Sequence, residues 1–222
     1  EENPEDENPK NNIINSLYGH IKLRLLRNWF IAKSQNNRLG FVFVSNWMKD
    51  RFVSNVKLIP ESVGKVEIIN NSINNAFLDC SYEKSEELYA DFVTIRPFDE
   101  SKYAIDLVCG LAQNNPNYTF HIYGRGNYFK YNTQPSNIKV INIFFKQSEI
   151  PELLNHYRCA LMPTRFDAQG VMACEIASYG MPLITTNIDI CTEMLGSFSN
   201  VMFLDYKSFG KKIISLPMKQ KE

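Results

Sequence analysis

The chain has little of several things that announce a function. Its 24 Lys and Arg are matched by 24 Asp and Glu, so the formal net charge is zero. The basic excess with which proteins neutralise nucleic-acid phosphates is missing, and nucleic acid is excluded as a first expectation. No apolar run approaches the roughly 18 residues of a membrane span. The opening EENPEDENPK is acidic where a secretory signal is basic and then apolar, so a cytoplasmic location is the simplest expectation. The cysteines Cys80, Cys109, Cys159, Cys174 and Cys191 are odd in number and form no C-x-x-C pair, which argues against both a disulfide framework and a zinc site. His20, His121 and His156 have no second ligand one helical turn away and sit among apolar or aromatic neighbours, so they read as structural and no metal is expected.

What is present is an ordinary globular composition, 44% hydrophobic and 13% aromatic over 222 residues, enough for one sizeable core with an appendage. Residues 1–12 mix acids with Pro and Asn and read as a disordered lead-in. From Ile13 to Lys33, Ile13, Leu17, Ile21, Leu25 and Trp29 recur every four positions among Lys22, Arg24, Arg27 and Lys33, which predicts an amphipathic helix with one buried face. Phe41–Val44 and Val66–Ile69 are short β-prone runs, Ser45 can cap a helix over WMKDRFV, and the Asn-rich NNSINN resembles a seam between units. After Ser81, apolar runs at Phe92–Ile95, Phe120–Tyr123, Val140–Phe144, Cys159–Met162 and Leu183–Thr185 alternate with helical periodicity at Ile105–Leu111, Ile150–Tyr157 and Val171–Tyr179. Such alternation predicts an α/β fold, a Rossmann-like doubly wound parallel sheet, preceded by a partial segment of helix and strand. The expected division is 1–12, 13–80 and 81–222.

In open α/β sheets, ligands bind beyond the carboxyl ends of the strands. The first run is followed by RPFDESK with Arg96 and Lys102, the second by GRGN with Gly124 and Gly126, and the fourth by PTRFDAQG leading into a helix that carries Glu175. Two cations, a glycine turn and a helix N-terminus on one rim suit a diphosphate, because free N–H groups and the helix dipole favour anions. Each part alone has a plainer reading: a tight turn, solvated loop cations, an exposed helix acid. Glu175, however, is flanked by Ala173, Cys174, Ile176 and Ala177, and an acid in an apolar helix needs a partner from protein or ligand. Asp167 and Glu175 could face one pocket.

The run DAQGVMACEIASYGMPLI, from Asp167 to Ile184, resembles the E-x7-E signature of retaining family 4 glycosyltransferases of the GT-B fold, and the upstream Arg, Lys and G-x-G turn occur in the family's order. The resemblance implies a nucleotide-diphosphate-sugar donor, a UDP- or GDP-sugar, with no metal or further cofactor. Arg96 and Lys102 would hold the diphosphate, Glu175 the ribose hydroxyls, and Asp167 would face the transferred sugar. Amides around Gln169, Gly170 and Val171 would meet sugar and phosphate oxygens, and Gly124 and Gly126 would form the ligand turn. The sequence departs from the signature in having Asp167 for the usual Glu, Ala168 for the following Gly, and Tyr103 where Gly is frequent. Glu193 matches a further acid of the family.

The implied activity is sugar transfer to a glycan or lipid-linked acceptor in cell-surface polysaccharide synthesis, with residues 13–80 as the remnant of an acceptor domain that a partner supplies. The rival is a non-catalytic nucleotide-sugar-binding module. A dinucleotide-dependent oxidoreductase fails because GRGNYF lacks the third glycine of G-x-G-x-x-G. The basic helix at 13–33 could also lie on an anionic membrane as a peripheral contact, with packing against its own domain the plainer reading.

Overall fold

The computed structural model describes residues 9–34, 39–143 and 145–212, and these form two compact units divided between Asn70 and Asn71. The expected disordered lead-in falls mostly on residues 1–8, outside the described residues. The second unit begins at residue 71, ahead of the boundary at 81 read from the sequence.

The first unit runs α1 (Pro9–Ser34), β1 (Gly40–Phe43), α2 (Asn46–Val56) and β2 (Lys65–Ile68). β1 and β2 pair in parallel, with Phe41 opposite Val66. Ser45 caps α2 as expected, its hydroxyl accepting from the Met48 amide at 3.1 Å. Phe30, Phe41, Phe43 and Phe52 form one ring cluster, with centroids from 5.1 to 6.1 Å apart. The expected buried face of α1 is not found: Leu17, Ile21, Leu25 and Trp29 are each more than half exposed, and Phe30 is the residue that packs. A spacing of four drifts around a helix of 3.6 residues per turn, so the row winds around the cylinder; Leu23 and Phe30, seven apart, share the half-buried side. No described helix is long and apolar enough to cross a membrane.

The second unit alternates β3 (Ala90–Ile95), α3 (Ile105–Asn114), β4 (Phe120–Tyr123), α4 (Tyr128–Tyr131), β5 (Ile138–Ile141), α5 (Ile150–Asn155), β6 (Tyr157–Leu161), α6 (Val171–Ser178), β7 (Leu183–Thr186), α7 (Asp189–Leu195) and β8 (Val201–Leu204). All six strands are parallel, in the order β5-β4-β3-β6-β7-β8. This is the expected Rossmann-like sheet. The run read as Val140–Phe144 forms its strand earlier, and Phe144 itself lies outside the described residues.

Alternate residues of the central strands feed the two faces, as the two-residue period of a strand requires. Val93 and Ala160 join Ile176 and Leu183 on one side, while Phe92, Cys159 and Leu161 join Ile105 and Leu111 on the other. Phe92 stacks on Phe120 at 4.7 Å. His121 is half-buried, with Nδ1 2.8 Å from the Tyr157 hydroxyl, and burial pushes its pKa down; His156 holds the Glu87 carbonyl and stacks on Tyr89.

Lys57 ends α2 in the left-handed region at φ 54° and is exposed. A side chain there costs about 1 kcal/mol that glycine escapes. Lys57→Gly should therefore stabilise the first unit by about that amount, read as a higher urea midpoint with an unchanged slope.

Candidate functional site

The chain lays down β3, β4 and β5 in one direction and then returns to place β6 on the other side of β3. The loops leaving β3 and β6 therefore diverge, and a crevice opens at their carboxyl ends, where doubly wound sheets hold ligands. A cavity of about 260 Å³ lies here. Arg96 and Pro97 line it from β3, Asp167 and Gly170 from the β6–α6 loop, and Thr185 and Cys191 from β7 and α7. Burial pushes the Cys191 thiol up, so it is a neutral wall and no nucleophile.

Arg96 is the charged centre of the crevice. Its Nη1 donates to the Tyr103 carbonyl at 2.9 Å and to the Pro163 carbonyl, while its buried Nε has no acceptor among the described residues. The Tyr103 ring lies 5.7 Å from the guanidinium carbon. Burial lowers its pKa to about 10, and nearby Asp167 opposes that shift most. Arg96 thus stays cationic near neutral pH, with its Nε–H unused.

The N-terminus of α6 lines the same cavity. Gly170 precedes the helix at φ 74°, with open space where a Cβ would stand. The Asp167 Oδ1 accepts from the amides of Ala168, Gln169 and Gly170 at 2.7, 3.2 and 3.0 Å. The first helical amides, of Val171 and Met172, have no acceptor among the described residues, and both residues line the cavity. Unsatisfied first-turn amides beside a cation form an anion site.

Of the residues singled out in the sequence, Arg96, Asp167, Gln169, Gly170 and Val171 meet at this cavity. Gln169 spends its side chain elsewhere: its Oε1 accepts from the Asn71 amide at 2.6 Å and its Nε2 donates to the Asn71 carbonyl at 2.8 Å. Glu175 does not line the cavity. It is 1% exposed, and its Oε1 accepts from the Asn74 amide at 3.0 Å and the Gln147 side chain at 2.7 Å; burial raises its pKa. Lys102 does not line it either: its Nζ pairs with Glu100 at 3.1 Å and lies over the Tyr103 ring, while its carbonyl accepts from Thr164 and Arg165.

Gly124 and Gly126 also stand outside the cavity lining. A Cβ on Gly124, at φ 146°, would sit 2.0 Å from the Arg96 carbonyl oxygen, and one on Gly126 would sit 2.5 Å from the Phe98 backbone. They allow the β4 turn to lie against the β3 turn and so fix the backbone of Arg96. Tyr103, Asn71, Asn74 and Gln147 also build the site, in roles that no sequence pattern assigns. They act largely through main-chain atoms or as partners of other side chains, which leaves no motif; the Asn-rich stretch was the one available signal.

The family model described as glycosyl transferases group 1 matches residues 94–221. No curated protein sequence matches the chain. Among solved structures, it is similar to Anabaena HepE in complex with UDP and glucose, at 15% identity and TM-score 0.62, covering 86% of this chain and 55% of that one. It is also similar to sucrose-phosphate synthase from Thermosynechococcus elongatus (8% identity, TM-score 0.61, 81% and 49% covered). A third is WaaG, a glycosyltransferase involved in lipopolysaccharide biosynthesis (14% identity, TM-score 0.58, 76% and 51% covered). The chain thus spans about half the length of these structures, and 34% of TarM.

Glu175→Ala leaves the Asn74 amide and Gln147 without their acceptor and should cost about 1–3 kcal/mol in urea unfolding. Glu175→Gln keeps an oxygen there and should cost less. Because the folded carboxyl holds its proton more tightly than the unfolded one, wild-type stability relative to Glu175→Gln should fall as pH rises from the ordinary carboxylate range through the raised pKa, then level off. Paired unfolding curves across that window test the sign.

Proposed function

Because the chain belongs to the glycosyl transferases group 1 family, we propose that its second unit holds the nucleotide-diphosphate-sugar donor of a retaining sugar transferase. The observation that carries the reading is that Arg96, with its unused Nε–H, and Val171 and Met172, with their free amides, line one cavity at the sheet's switch point. A diphosphate satisfies all of these donors together. In the proposed transfer the sugar leaves a diphosphate whose developing charge falls on Arg96 and the positive end of α6. No general base is assigned. Lys102 joins the site only by leaving Glu100, and Glu175 reaches ribose hydroxyls only if the 71–77 segment gives up its hydrogen bond. UDP-sugars are the first donors to try, since UDP is present in the HepE complex. A glycan or lipid-linked acceptor, a role in cell-surface polysaccharide synthesis, a cytoplasmic or peripheral-membrane location and the absence of a metal requirement belong to the same proposal.

The engagement of both acids by protein groups supports a second reading, a nucleotide-sugar-binding module without turnover of its own. Thermal melting with UDP, GDP, ADP and their sugar conjugates tests the site. A ligand at a hundred times its dissociation constant should add about 2.7 kcal/mol. That gain should vanish in Arg96→Gln while the unliganded protein still melts cooperatively. Absence of stabilisation by every nucleotide would sink the donor reading. Release of labelled sugar to an acceptor extract separates a transferase from a module that binds without turnover.

A further inference from the structure

The donor reading leaves one contact at the crevice without a purpose. Amides at the mouth of α6 are the natural seat of a ligand anion, yet three consecutive ones, those of Ala168, Gln169 and Gly170, converge on the protein's own Asp167 carboxylate. Arg96, Val171 and Met172 line the same cavity, and Asp167, which lines it too, is the nearby charge that most opposes the effect of burial on Arg96. A diphosphate placed on the free donors is therefore seated beside a fixed negative charge, in a crevice where burial weakens screening.

That neighbour does not act equally on all ligands. A free nucleoside diphosphate ends in a phosphate with a second ionisation near pH ~6. In the sugar ester that oxygen is blocked, so near neutral pH the free diphosphate carries one more negative charge. We infer that Asp167 acts as a charge filter: its carboxylate occupies the α6 amides in the empty site and disfavours the free nucleoside diphosphate relative to its sugar ester, which favours donor entry and product release. The inference rests on the proposed donor site, and it assigns Asp167 a charge-dependent role that contact with a sugar hydroxyl would not produce.

Asp167→Asn separates charge from capping, because the amide oxygen can accept the same three N–H groups while the charge is gone. Isothermal titration of UDP and UDP-glucose into wild type and Asp167→Asn reads the effect. UDP affinity should rise about tenfold in the variant, the scale of one like-charge contact at partial burial. UDP-glucose should gain several-fold less. The excess gain for UDP should shrink as pH falls below ~6, where the extra phosphate charge is lost. A merely structural cap would leave both affinities unchanged in Asp167→Asn and weaken both in Asp167→Ala. A sugar-contacting acid would show as weaker UDP-glucose with unaltered UDP. Either pattern overturns the inference while leaving the donor site standing. Failure of wild type and both variants to bind UDP and UDP-glucose overturns the donor reading and the inference together.

Discussion

The structure of the crevice depends on one half-buried cation, whose Nε is fully enclosed. Arg96 leaves the end of β3 and donates to the Tyr103 carbonyl on its own loop and to the Pro163 carbonyl just after β6. It thereby ties together the two loops that the strand order drives apart. Burying a guanidinium is costly unless its donors are used, and here carbonyl oxygens use part of them, which neutralises nothing. The charge persists, lowered in pKa yet protonated. A rigid scaffold thus stores an unsatisfied positive group at the place where the sheet topology leaves space. Everything else around the crevice supports that arrangement: Gly124 clears room for the Arg96 carbonyl, and the Thr164 hydroxyl and Arg165 amide pin the Lys102 carbonyl so that the 101–103 turn cannot drift from the β6 loop.

The N-terminus of α6 is the complementary half. Its first residues must be bare of side-chain bulk, and Gly170 in the left-handed region meets this with nothing near its missing Cβ. Its amides divide into two sets, one turned onto Asp167 and one unclaimed. Below them, the segment from Asn71 to Phe77 is held to α6 by Gln169 and Glu175, through main-chain groups of Asn71 and Asn74. The acid that looked stranded in an apolar helix is therefore satisfied by protein. Its burial cost falls on the folded state as a raised pKa, and its hydrogen bonds bring a connecting stretch into register with the helix that forms the crevice wall.

Much of the fold was legible because it follows from periodicity. ADFVTI and YRCAL are short, nearly unbroken apolar runs, as strands buried on both faces must be, and they are the central pair β3 and β6. The turn glycines are legible for the same local reasons. The edge strand β8 went unread because VMFL is half-buried throughout and carries no alternation. α1 was misjudged because a four-residue spacing imitates amphipathicity over two turns and loses it over five. At the site, the sequence identified the right loops and the right helix, since strand ends and chain order are one-dimensional information. Which of two loop cations turns inward is not. Arg96 is enclosed by Tyr103, whereas Lys102, six residues on, finds Glu100 at the surface.

The same limit explains the two acids. Asp167 and Glu175 are separated by seven intervening residues, and a motif reading treats them as a pair. The intervening residues are a capping turn and then a helix, so Asp167 folds back on the turn while Glu175 sits at the fifth position of α6, a full turn past the free amides. A carboxylate one methylene shorter than Glu favours this outcome, because Asp is the side chain whose length lets it reach amides one to three residues ahead of itself. The turn thus satisfies its own amides. The consequence is electrostatic. A protein with no net charge has placed, on two loops that line one cavity, a cation with an unused donor and an anion with three hydrogen bonds.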